Sequence, residues 1–266
     1  MVDYTEGKGY QYHTHTDSKN VGKYVIATGD PGRCKLIAGR FDNSQLVASN
    51  REYVTYTGEL CETKVTVIST GIGGPSAAIA FEELKKCGVH TIIRVGTCGG
   101  IQLEVQGGDL VIASGAIRME GTTKEYVPLE FPAIANFEVV QSLALAAHAK
   151  GMNHHIGVVE CKDSFYGEMN PSEFPVGYEL SLKWEAWKKC GALASEMESA
   201  ALFIFGSFRK CRTGTILLVL DNQEREKAGL TNIQNHEINR AVDVAIDALK
   251  SLIEKDKKYG RNYSKS

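Results

Sequence analysis

No Cys-x-x-Cys pair occurs in this 266-residue chain, and its seven cysteines (Cys34, Cys61, Cys87, Cys98, Cys161, Cys190, Cys211) are odd in number and scattered. This excludes a disulfide frame or a zinc site built on paired cysteines, and it predicts free thiols in a reducing compartment. An excess of basic charge is also missing. Thirty Lys+Arg stand against 32 Asp+Glu, a net charge of −2 with a pI near 6.4. Such a chain has no bulk positive field for a nucleic-acid backbone. No apolar run approaches the roughly 18 residues of a membrane span. Met1 to Asn20 is polar and lacks the apolar core of a signal peptide. Together these absences predict a cytoplasmic protein with no nucleic-acid and no membrane partner. Prolines number only six, so the chain is not low-complexity, and 43% apolar with 23% charged residues is an ordinary globular balance.

What is present in excess is glycine: 27 residues, roughly 10% against a usual share of about 7%. Several glycines cluster where β-rich runs end. Lys23–Thr28 ends in Gly29-Asp30-Pro31-Gly32, with a helix expected over Arg33–Arg40. Glu52–Leu60 and Lys64–Thr70 read as paired strands, the second breaking into Gly71-Ile72-Gly73-Gly74-Pro75-Ser76 before a helix that Gly88 stops. Thr91–Val95 runs into Gly96-Thr97-Cys98-Gly99-Gly100. Further strands are expected at Asp109–Ser114, Ala116–Met119, Gly157–Cys161 and Thr213–Leu220. Helices are expected at Asn136–Lys150, Leu180–Lys189, Met197–Lys210 and Thr231–Glu254. Strands alternating with helices, several without polar alternation, predict an α/β fold: a single domain with a mixed, largely parallel sheet flanked by helices on both faces. It would span residues 1–266, with segment 1–20 and tail 255–266 peripheral.

Glycine lets backbone N–H groups approach an anion, and ligands of open α/β sheets bind at strand carboxyl ends. One such loop is ordinary turn chemistry. Three, flanked by Arg33 and Arg94 and with Arg51 nearby, point to an anion site, because guanidinium forks suit phosphate. Neither the dinucleotide fingerprint nor a P-loop is present. Glu196 and Glu198 open an apolar helix at i, i+2, so they point in different directions and have different tasks; a carboxylate at this junction suits either a pair of vicinal hydroxyls or the helix N-terminus. Asp221 ends the strand Thr213–Leu220 and reads as an acid, a cap or a solvated group. His13-x-His15 lacks a third metal ligand, and His154-His155 suit the surface. Cys98 has no partner of catalytic spacing. Trp184 and Trp187 suit core or interface packing.

Five stretches occur in order: Gly29-Asp30-Pro31-Gly32-Arg33, Asn50-Arg51-Glu52, Ser69 through Ser76, Arg94-Val95-Gly96-Thr97-Cys98-Gly99, and Glu196-Met197-Glu198-Ser199. Together they resemble the hexamer-forming nucleoside phosphorylase family. Pro128-Leu129-Glu130-Phe131-Pro132-Ala133 resembles its uridine branch more than its purine branch. The resemblance covers about Tyr12 to Leu252. It implies a pentosyltransferase of nucleoside salvage: phosphate and a nucleoside, most closely uridine, give ribose 1-phosphate and free base. It implies phosphate binding by Gly29, Arg33, Arg94 and Thr97, with Arg51 from a neighbouring subunit. Nucleoside binding would fall to Glu196, Met197, Glu198, Phe165, Cys98 and Gly99, and to His13 from the neighbour. Arg94, Glu198 and Asp221 would carry catalysis. No cofactor is required beyond phosphate as co-substrate. In some uridine-branch members Glu52, Ile72 and Ser76 match positions that hold a potassium ion between subunits. A homo-hexamer built from dimers would follow.

Two departures touch the base. Glu168 and Asn170 stand where the uridine branch carries a Gln and an Arg that read uracil, and an ionised carboxylate accepts but cannot donate. Asp221 matches the general acid of the purine branch. A purine or broad-specificity phosphorylase is therefore the first alternative. A nucleosidase using water, or a non-catalytic nucleoside-binding protein, stands behind it.

Overall fold

The computed structural model describes residue 5 and residues 7–261. In chain order the elements are β1 (Tyr24–Thr28), α1 (Gly32–Ala38), β2 (Asp42–Asn50), β3 (Tyr53–Leu60), β4 (Thr63–Ser69), α2 (Gly74–Lys86), β5 (Thr91–Gly100) and β6 (Leu110–Met119). Then come β7 (Ala133–Ile134), α3 (Phe137–Ala149), β8 (His154–Lys162), α4 (Phe165–Met169), α5 (Gly177–Lys189) and β9 (Ala194–Glu196). The chain ends with α6 (Ser199–Arg209), β10 (Arg212–Asp221), α7 (Gln223–Lys227) and α8 (Asn239–Tyr259), and short 3₁₀ turns occupy Thr122–Glu125 and Pro171–Glu173.

The sheet is mixed and has helices on both faces, as the alternation of elements predicts. β5 lies at its centre, parallel to β1 on one side and to β10 on the other, and β1 is parallel to β4. Antiparallel β3 and β2 extend that edge. Beyond β10 the sheet closes on itself: β10 pairs β6, β6 pairs β8, β8 pairs β9, and β9 returns to β5. Closure was not visible in the sequence, because it depends on β9, a three-residue strand too short to leave a period. One face is packed by α2 and α6 around Phe81, Leu84, Phe203 and Phe205. The other is packed by α1, α3 and α8 around Ile37, Leu143, Val242 and Leu249. The strands between them are buried on both sides, which explains their unbroken apolar runs.

Several boundaries differ from expectation. Gly96–Gly100 stays inside β5 instead of leaving it as a loop. Segments 109–114 and 116–119 form one strand with a register shift between Ala113 and Gly115 opposite β8. The last helix starts at Asn239, not Thr231, and continues through Tyr259, beyond the expected end at Glu254, so the first part of the tail expected to be peripheral is helical. Residues 262–266 lie outside the described chain. So do residues 1–4 and 6 of the N-terminal segment expected to be peripheral, yet Thr14 and Thr16 within that segment are fully buried. The Thr14 N–H and hydroxyl both donate to Glu83 of α2 at 2.8 Å, and the His13 N–H donates to the same carboxylate. No helix among the described residues is long and apolar enough to cross a membrane.

Candidate active site

Parallel strands release their chains on one side of a sheet. The carboxyl ends of β1, β4, β5 and β10 therefore converge, and a cavity of about 820 Å³ opens there. Its walls include all three glycine clusters, at Gly29, Gly71, and Gly96 with Gly99 and Gly100. Two of these glycines have a steric reason. Gly71 holds φ +68°, and a Cβ there would meet Glu52 and Ser76 at 2.9 Å. A Cβ on Gly96 would come within 2.3 Å of the Arg94 guanidinium, which folds back beneath it.

Arg94 is 5% exposed and is gripped by two carboxylates. Its Nη2 pairs with Glu198 Oε2 and lies 3.2 Å from Glu196 Oε2, and its Nε donates to the same Glu196 oxygen at 3.3 Å. Burial opposes the charge on Arg94, but Glu198 and Glu196 outweigh it and raise its pKa above the ordinary value. Burial raises the pKa of Glu198, and Glu196 adds to that, while Arg94 opposes it. The other Glu198 oxygen accepts from the Gly73 N–H at 2.6 Å, tying the second glycine cluster to the carboxylate. Glu196 has a different task. It accepts from the N–H groups of Glu198 and Ser199 and so caps α6. Both carboxylates converge on Arg94, whereas the i, i+2 spacing predicts that they point in different directions. Glu196 belongs to β9, however, and the helix begins only at Ser199.

Arg33 enters from the first turn of α1, with Nε 3.8 Å from Asp30 Oδ2. Burial lowers its pKa, and the charge of Arg94 acts in the same direction. Thr97, Cys98, Met197, Asp221, Phe165 and Glu168 complete the predicted residues on the cavity wall, and the half-exposed Phe165 stands at its edge. Cys98 is buried and its thiol is pushed well up by desolvation, with its S–H directed at the Leu218 carbonyl 3.7 Å away, so it is no nucleophile.

His13, Arg51, Glu52 and Ser76 do not line this cavity, whereas Ile72 does. His13 is held by Glu83, its Nδ1 2.8 Å from Oε1, and its carbonyl accepts from Asn50 Nδ2 at 2.7 Å. Arg51 is exposed in a left-handed turn (φ 53°) between β2 and β3. Ser76 Oγ sits 2.7 Å from Glu52 Oε1 and 2.5 Å from the Thr70 carbonyl, an all-oxygen cluster beside the exposed Ile72.

Other wall residues were not named as site residues from sequence: Lys162, Trp184, Ser195, Gln223, Gln234 and His236. Trp184, expected in core or interface packing, reaches the cavity, and its Nε1–H donates to Glu224 at 3.0 Å. Lys162 carried a readable signal. With Glu160 it places two charges at i, i+2 after the apolar run from Ile156 to Val159, on one face of β8.

The chain matches the phosphorylase superfamily over residues 23–254. It is 54% identical over 246 residues to a uridine phosphorylase of Treponema pallidum (strain Nichols), covering 92% of this chain and 95% of that one. A uridine phosphorylase of Thermococcus kodakarensis is 38% identical over 258 residues, covering 96% and 91%. A guanosine phosphorylase of Halorubrum lacusprofundi is 36% identical over 249 residues, covering 91% and 99%. With a family match across most of its length, and with its glycine clusters, Arg94 and Glu198 joined around one cavity, the chain belongs to the phosphorylase superfamily.

Proposed function

We propose that this protein catalyses the reversible phosphorolysis of uridine to ribose 1-phosphate and uracil. One observation carries the reading: glycine-lined strand ends, two arginines and the Glu196-Met197-Glu198 turn share a single cavity. The similarity to uridine phosphorylases over nearly the full chain supports the choice of base.

Breaking the glycosidic bond builds positive charge on the sugar and negative charge on the departing base. Arg33, Arg94, Gly29 and Thr97 hold a phosphate dianion against the sugar and stabilise the first charge. Glu198, anchored by Arg94 and Gly73, accepts from ribose hydroxyls, with Met197 packing beside it. Arg94 joins the two halves: the same guanidinium that orients Glu198 faces the anion. Phosphate attacks directly, so no protein nucleophile is needed, in keeping with the inert Cys98.

Arg51 and His13 act on a neighbouring subunit's cavity, completing the site in a homo-hexamer built from dimers. The Glu52–Ser76 oxygen cluster has the hard, oxygen-only donors a potassium ion takes. Glu52, Ser76 and the Ile72 segment would hold such an ion, fixing the subunit contact without entering the chemistry. The enzyme works in the cytoplasm on small-molecule substrates.

A purine reading has specific support of its own: Asp221 on the wall and a guanosine phosphorylase among the relatives. Incubation with uridine, thymidine, inosine, guanosine and adenosine, with and without phosphate, separates the two. Uracil release that requires phosphate is expected. Release from purine nucleosides alone would move the enzyme to the purine branch, and release without phosphate would make it a hydrolase.

A further inference from the structure

On the cavity wall formed by β8, β9 and α4 lies a cluster of charged and hydroxyl groups that the mechanism above does not use. Glu160 and Ser195 are register partners on β8 and β9, and Ser195 Oγ lies 2.6 Å from Glu160 Oε2. The same hydroxyl is 2.8 Å from Glu168 Oε2 and 2.5 Å from Lys162 Nζ, and Lys162 also pairs directly with Glu168. Lys162 and Glu168 face the cavity, whereas Glu160 is fully buried behind them.

A hydroxyl has one proton to donate. When Ser195 accepts from Lys162 and donates to Glu168, its contact with Glu160 is satisfied by a proton on Glu160. Desolvation, larger than the opposing pull of Lys162, raises the Glu160 pKa to about 7 and favours that arrangement. The cavity wall then presents one ammonium beside one carboxylate. Two hydrogen bonds anchor the segment between them: the Asp163 carboxylate accepts from the Gly121 N–H at 2.9 Å, and Ser164 caps α4 by accepting from the Gly167 N–H at 3.1 Å. Phe165, one turn before Glu168, puts an aromatic face next to the pair, 5.9 Å from Lys162 Nζ.

A donor beside an acceptor complements an imide edge, where a carbonyl adjoins an N–H. We propose that Lys162 and Glu168 read this edge of the base and that Lys162 is the cation that stabilises the base as it leaves. Glu168 accepts from the imide N–H, and Lys162 donates to an adjacent carbonyl oxygen. As a phosphate oxygen bonds to C1′, the C1′–N1 bond breaks with its electron pair passing to the base. The resulting charge spreads onto the carbonyl oxygens, beside Lys162. The proton lost from phosphate reaches N1 through water. A cytosine ring turns a lone pair towards Glu168 in place of the N–H, so cytidine is rejected. The same pair explains how the site works with a carboxylate at Glu168: the missing donor comes from β8, not from the segment after Phe165. This inference rests on the proposed uridine phosphorolysis.

The test compares uridine with 5-fluorouridine, whose base is a better leaving group. In K162M, kcat for uridine should fall about 100-fold, the scale of losing one oriented charge stabiliser. For 5-fluorouridine it should fall several-fold less, with KM for phosphate unchanged. K162Q keeps a hydrogen bond to Ser195 without the charge and should show the same selective loss, while K162R should recover most activity. Equal losses on both nucleosides in K162M and K162Q, or no loss, would overturn the role of Lys162. Wild-type enzyme that releases a free base from neither nucleoside would instead overturn the proposed function.

Discussion

Arg94 is the residue on which the site turns. It is buried between Glu196 and Glu198, so truncation leaves two desolvated carboxylates without their cation. R94A should lose about 3–5 kcal/mol of unfolding free energy as well as most activity, measured by urea denaturation beside phosphorolysis. Arg33 separates binding from stability, because among the described residues its one ion pair is the long contact to the exposed Asp30. R33A should raise KM for phosphate about tenfold or more, equivalent to about 1.4 kcal/mol, with an unchanged denaturation midpoint. An unchanged KM would remove Arg33 from the phosphate site. Glu160 predicts a pH effect. Its carboxyl, raised from 4.5 to about 7, stays protonated in the fold while the unfolded chain ionises. The folded state thus binds more protons between those values, and stability falls as pH rises through that window. E160Q should flatten this slope in urea midpoints taken from pH 4.5 to 8. Identical slopes in the two proteins would contradict it. At this scale the glycines, Arg33, Arg94 and Glu198 were legible because they sit in local patterns at strand ends. Lys162 showed only as a charge beside Glu160, and Trp184 only as a packing residue, since the register of β8 and the docking of α5 are what bring them to the cavity.

Among the elements, β5 and β9 do most to assemble the cavity. The glycines of β5 stay in the strand because neighbouring groups fill the space a side chain would need: the Arg94 guanidinium under Gly96, and Asn222 against Gly100. Asn222 is fully buried at the start of α7. Its Nδ2 donates to the carbonyls of Gln102 and Val105, each at 2.8 Å, and its Oδ1 accepts from the N–H of Glu224 at 2.9 Å. N222A would leave those carbonyls buried without their donor and open a void beside Gly100. A loss of about 1–3 kcal/mol is expected, seen as a lower thermal midpoint, with a smaller loss of activity. The long elements were read well from sequence because their apolar periods extend over two or more turns or over a full strand. β2 was missed because six of its nine residues are polar and its three apolar ones, Leu46 to Ala48, do not alternate, and β9 because three residues carry no period. The start of α8 was set too early: 228–238 has polar residues at helical spacing but no apolar stripe to dock.

For the whole molecule, the glycine excess and the near-zero charge acquire a common meaning. Without a bulk field, anion binding depends on a few arginines held in fixed positions, and the sheet supplies those positions by aligning its parallel strand ends. Arg51 and His13 lie away from the cavity of their own chain, so a complete site is expected to need two subunits. R51A mixed and reassembled with R94A should regain part of the activity that each variant lacks alone, because a mixed interface can join an intact Arg51 to an intact Arg94. Mixtures no more active than their parts would place Arg51 outside the reaction.

Phosphate-dependent cleavage of uridine is the most direct measurement. Purified protein with uridine and phosphate should yield uracil and ribose 1-phosphate in equal amounts, and neither when phosphate is omitted. Uracil formed without phosphate, or no base released from any nucleoside, would contradict phosphorolysis at this site.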